Sequence, residues 1–72
     1  MTNETFKLIR LYSGMSQRAF AKHIGVSPAT VGLIEANYRP VSEYVRAKVA
    51  EKFDLNDDFL KYIEKYRKLS QI

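Results

Sequence analysis

Residues 16–39 read SQRAFAKHIGVSPATVGLIEANYR. Ser16 can cap a helix whose first turn holds Gln17 and Arg18, and Phe20, Ala21 and Ile24 follow at the spacing of one apolar face. Gly25 stands where that helix needs a left-handed residue to end, and Val26 fills the corner. Ser27 caps a second helix, and Pro28 takes its first position, where the missing N–H costs nothing. Val31 and Ile34 continue the apolar stripe. Residues 16–36 therefore form a helix-turn-helix, and the second helix is the candidate for entry into a DNA major groove.

The flanking sequence adds three more helices and makes the fold class all-α. Thr2 or Asn3 can cap a first helix to about Ser13, with Glu4 near its positive end and Phe6, Ile9 and Ser13 on one face with Arg10. Gly14 ends it, and Met15 faces the core. Asn37 can close the third helix, about Pro28 to Ala36, before the loop Tyr38–Arg39–Pro40. Ser42 caps a fourth helix, with Tyr44 or Val45, Val49 and Phe53 along it. Asn56 caps a fifth over 57–70, with Asp57 and Asp58 in its first turn. Its apolar positions, Phe59, Leu60, Tyr62, Ile63, Tyr66 and Leu69, cover an arc wide enough to pack on helices one and four or to contribute a dimer seam.

Length and charge bound the function. The 72 residues hold one domain, 1–72, with one small core. There is no cysteine, so disulfides and thiolate metal sites are excluded. The N-terminal decapeptide lacks a signal-peptide pattern and no run is long and apolar enough for a membrane span, so a cytoplasmic, nucleoid-associated protein of a bacterium or phage-infected host is expected. Twelve Lys and Arg stand against eight Asp and Glu, a net charge of +4. Residues 1–40 carry five basic groups against two acidic, the more one-sided half. A basic balance of this kind fits nucleic acid as partner.

Catalysis has no candidate apparatus. No nucleophile–base pair or glycine-rich phosphate loop is present, and an enzyme is not expected. His23 lacks a ligand partner and reads as a surface side chain. Asp54, Asp57 and Asp58 do not complete a ligand set, so no metal and no cofactor are expected. The five tyrosines are scattered, which favours core rims over a base-stacking platform.

The run GMSQRAFAKHIGVSPATVGLIEANYRP, residues 14–40, resembles the phage-repressor family, the lambda-repressor and Cro-like regulators of Xre type. The resemblance extends from about Phe6 to Leu55 and rests on Arg10, Gly14–Gln17, Phe20–Ala21, Ile24–Ser27, Val31 and Ile34–Glu35 in this order and spacing. It implies a five-helix, lambda-repressor-like domain, here with an extended C-terminal helix, that binds double-stranded operator DNA, often as a homodimer. By the same resemblance Gln17, Arg18, Tyr38 and Arg39 face DNA backbone. Ser27, Pro28, Ala29 and Thr30 form the front of the recognition helix, with Gly32 and Leu33 one turn on. Arg10 and Glu35 match a structural ion pair. The implied function is a small repressor of phage or mobile-element type acting by operator occupancy, with no small-molecule effector. A protein-interaction module on the same fold, such as an antitoxin or antirepressor-like adaptor, is the alternative. One departure matters. The outward face of the third helix has no Gln, Arg, Asn or Lys for bidentate base contacts, so modest direct readout is expected, with methyl groups of Ala29, Thr30 and Leu33 available to thymine.

Overall fold

Five capped helices account for the described residues. The computed structural model describes residues 1–71 and places α1 at Asn3–Tyr12, α2 at Gln17–Ile24, α3 at Pro28–Glu35, α4 at Glu43–Lys52 and α5 at Asp57–Leu69. Each begins on an extended residue whose side-chain oxygen accepts a hydrogen bond from the backbone N–H three residues on: Thr2, Ser16, Ser27, Ser42 and Asn56. Each cap satisfies one of the donors that a helix start leaves without an intrahelical partner. At the first helix Thr2 is the cap, which leaves the amide of Asn3 free for other work.

The first three helices close in the same way. Gly14, Gly25 and Asn37 adopt φ of 71°, 82° and 64°. Beyond each, a backbone N–H reaches back five residues: Met15 to Arg10, Val26 to Ala21 and Tyr38 to Leu33. These closures turn the chain sharply enough to stack α2 on α3 and α1 on α3. At Gly25 a Cβ would meet nothing within 4 Å, so only backbone strain opposes a side chain there. Gly25→Ala is expected to lower stability by about 1–2 kcal/mol, the cost of a left-handed L-residue, read as a lower urea midpoint at unchanged m-value.

The core is continuous across all five helices. Phe6, Leu8 and Ile9 of α1, Phe20, Ala21 and Ile24 of α2, Val31 and Ile34 of α3, Val45 and Val49 of α4 and Phe59 of α5 are buried together. Phe6 meets Phe20 edge-on at 5.3 Å between ring centroids, and Phe53 stacks on Phe20 at 5.6 Å. Leu8 lies off the stripe of Phe6 and Ile9. It is buried because α1 is packed by both α3 and α5 and so encloses two faces. Of the two choices on α4 it is Val45 that turns inward, while Tyr44 is exposed under Lys48. The tyrosines divide: Tyr62 and Tyr66 pack on the core and Tyr12 stacks edge-on against Phe59 and Tyr62, but Tyr38 and Tyr44 are not core rims.

Helix α5 divides its apolar arc. Phe59 is buried, and Tyr62, Ile63 and Tyr66 pack against the core. Arg67 Nε donates to Glu4 Oε1 at 3.3 Å and joins α5 to the start of α1. Leu60 and Leu69 remain 54% and 70% exposed. Nine residues separate them, which places them on opposite sides of a helix with about 3.6 residues per turn. They do not form one exposed stripe.

Candidate nucleic-acid interface

Helix α3 offers its outer side to solvent. Ser27, Pro28 and Ala29 are exposed, Thr30 and Gly32 partly so, and Leu33 is 37% exposed. Val31 and Ile34 hold the opposite side in the core. Helix α5 packs on α1, so it leaves this surface open. The two hydroxyls at the front are occupied locally. Ser27 Oγ accepts from the Thr30 backbone N–H at 3.2 Å, and it lies 2.8 Å from Thr30 Oγ1 in a shared hydrogen bond. One hydroxyl proton is thereby used between them, which leaves the face with a single free O–H and otherwise methyl and methylene groups.

Two basic corners flank that face. Gln17 and Arg18 occupy the first turn of α2, and Tyr38 and Arg39 the loop after α3, with Tyr38 82% exposed. No ion pair among the described residues engages Arg18 or Arg39. A helix N-terminus with an uncommitted arginine beside it suits a phosphate.

A polar cluster locks the two helices behind these corners. Arg10 Nε donates to Glu35 Oε2 at 2.6 Å and Nη2 to Glu35 Oε1 at 2.8 Å, a bidentate pair, while Nη1 donates to the Met15 carbonyl at 3.0 Å. The Glu35 side chain is only 4% exposed. Hydrogen bonding to Glu35 holds the Arg10 guanidinium above its ordinary value, burial works against it, and the carboxylate charge adds to it. The same carboxylate oxygen Oε1 accepts from Gln17 Nε2 at 3.2 Å. The structural pair thus also fixes the side chain at the first position of α2.

Residues 6–60 match the family described as Helix-turn-helix (HTH_3). The chain belongs to this lambda-repressor (Xre) type of helix-turn-helix proteins. It is a family of DNA-binding regulators, and double-stranded DNA is its partner. Neither a curated protein nor a solved structure matches the chain. Among the described residues no helix is long and apolar enough to cross a membrane. Within this helix-turn-helix the residues expected from the sequence lie at the N-terminus of α2, on the outer side of α3 and in the loop after it.

Sequence reasoning missed Asn3. Its Nδ2 donates to Asn37 Oδ1 and to the Arg39 carbonyl, both at 3.1 Å. The carbonyl can only accept, so the amide nitrogen must face it. This contact ties α1 to the loop that carries Tyr38 and Arg39. The partner lies 34 and 36 residues away, and no local pattern marks it.

Proposed function

We propose that the protein is a small repressor of phage or mobile-element type that acts by occupying an operator. Helix α3 enters the major groove. Gln17 and Arg18 on one side, and Tyr38 and Arg39 on the other, hold the phosphates that border it. What supports this reading is that α3 exposes its outer side while Arg18, in the first turn of α2, and Arg39, in the loop after α3, are exposed and engage no ion pair among the described residues. The bases are read modestly by Ser27, Pro28, Ala29, Thr30, Gly32 and Leu33, and backbone contacts with DNA shape supply much of the affinity. Two copies bind a two-fold operator and meet on the DNA, since Leu60 and Leu69 of α5 lie on opposite sides and offer no continuous seam. Repression is steric and needs neither catalysis, cofactor nor effector.

A salt titration with random-sequence duplex tests the reading. A DNA binder loses affinity with a log–log slope of about 0.9 per phosphate neutralised. Arg18 and Arg39 neutralise one phosphate each, so the two corners predict a slope of about −1.8 for each bound copy. Indifference to duplex at low salt would instead favour the protein-interaction module.

Asn3 provides a second test. Asn3→Ala frees the loop that presents Arg39, and binding is expected to weaken several-fold at every sequence. The same substitution made on an Arg39→Ala background is expected to add little, because the lost contact is shared. Independent, additive losses would assign Asn3 to the stability of α1 alone.

A further inference from the structure

Two apolar patches with rims of opposite charge meet at Phe53. The first is an open recess of about 460 Å³ lined by Met15, Ala19, Lys22 and His23. Ala19, Lys22 and His23 share one face of α2 at i, i+3 and i+4, and all three are exposed. Helix α2 carries no acidic residue, and Lys22 engages no ion pair among the described residues, so the rim is basic. The second patch is a knob at the start of α5. Asn56 caps that helix, which puts Leu55 just before the cap and Leu60 at the fourth helical position. Apolar side chains at those two places commonly pack across a helix start. Both leucines stay about half exposed, Leu55 at 44% and Leu60 at 54%. The rim here is acidic. Glu4, Glu35 and Glu43 are held in ion pairs, and of the other five acidic residues three, Asp54, Asp57 and Asp58, fall within residues 54–58. The dipole of α5 accounts for Asp57 and Asp58 but not for Asp54 or for the exposed leucines beside them.

Phe53 joins the patches. Its ring stands edge-on to His23 with centroids 5.5 Å apart, and the next residue in the chain is Asp54. Patches this close can satisfy each other across a two-fold axis, because each copy then offers a knob to its partner's recess and a recess to its partner's knob. We propose that two copies of this chain associate through these corners, Leu55 and Leu60 of each seated against Met15 and Ala19 of the other, with Asp54, Asp57 and Asp58 facing Lys22. The inference deepens the reading that two copies share an operator, and it names the surface through which they meet. It uses neither the outer side of α3 nor the loop after it. Two leucines and a few charges from each copy make a small contact, so association is weak away from DNA.

Sedimentation velocity of the full chain without DNA tests the proposal. The native protein is expected to pass reversibly from monomer to dimer as its concentration rises to about 1 mM, where even a millimolar contact is well populated. Raising the salt should weaken the dimer. Leu60→Ser removes an apolar group from both halves of the contact and is expected to weaken association at least about tenfold. Lys22→Glu, and separately Asp54→Lys with Asp58→Lys, set like charges against each other at both contacts, so each variant alone is expected to stay monomeric. Mixed in equal amounts, those two variants should form a dimer, since every recess then meets a knob of opposite charge. Should charge reversal disturb the start of α5, Leu60→Ser carries the test alone. A native chain that stays monomeric, native association in Leu60→Ser, a mixture of folded charge variants that does not pair, or growth beyond the dimer would each overturn the proposal. Random-sequence duplex at low salt keeps the two failures apart. Duplex binding without self-association removes this inference only, and a dimer that ignores duplex removes the operator reading and leaves the contact standing.

Discussion

Glu35→Ala is expected to lower stability by about 3 kcal/mol or more, because it strands a guanidinium that is mostly out of water. Arg10 would keep only its bond to the Met15 carbonyl, with two of its three hydrogen bonds lost at once. A core of this size supplies only about 3–5 kcal/mol of net stability, so the variant should retain at most about 2 kcal/mol. Far-UV circular dichroism with urea measures the loss directly, as a fall in midpoint at constant slope. The pair should behave differently when both partners go. Arg10→Met with Glu35→Leu leaves no buried charge, and such replacements are often neutral, so the double variant is expected to recover most of the stability. A single-variant loss below about 1 kcal/mol would mean that water reaches the freed guanidinium, as it does at surface pairs. The contribution from Arg10 does not vary near neutral pH. Its folded value is raised, so the stabilisation is complete below the unfolded value and is lost only in strong alkali.

The double variant also separates stability from function. With Glu35 gone, Gln17 loses the acceptor that orients its amide at the first turn of α2. A refolded Arg10→Met/Glu35→Leu protein should therefore bind duplex more weakly than the native chain even where its stability is restored.

Local signals made most of this architecture readable in advance. Caps at Ser16, Ser27, Ser42 and Asn56 are short-range hydrogen bonds, set by the residue and its neighbour three positions on, so they appear in sequence as they appear in structure. The same holds for Gly25 and Asn37, whose tolerance of positive φ is a property of the residue itself. The pairing of Arg10 with Glu35 came from resemblance, since 25 residues separate the partners and no periodicity connects them. Leu8 and Asn3 mark the limit. Leu8 is buried only because α5 lies on α1, a fact of packing that a single-helix pattern does not contain. Asn3 read as one of two cap candidates, and its role emerged once Thr2 took the cap and α3's closing loop came within reach. The arc of α5 looked continuous on a wheel, but packing used its middle and left Leu60 and Leu69 on opposite sides.

Removing the two corner arginines should produce the largest loss of DNA affinity that leaves the fold intact. Arg18 and Arg39 are exposed and held in no ion pair among the described residues, so Arg18→Ala with Arg39→Ala should leave the urea midpoint unchanged within about 0.5 kcal/mol. Each arginine that neutralises one phosphate releases counterions and contributes about 0.9 to the log–log salt slope. The double variant is therefore expected to flatten the slope by about 1.8. Taking 1 M salt as the point where counterion release contributes nothing, the same two contacts amount to roughly 60-fold in affinity at 0.1 M. The loss should be equal for all sequences, since phosphates carry no base identity. Arg18→Lys with Arg39→Lys keeps both charges and should keep most of the slope. A double alanine variant with an unchanged slope and altered base preference would move these arginines from the phosphates to the base edges. An unchanged slope with unchanged preference would remove both corners from the interface and leave α3 without the contacts that hold it in the groove.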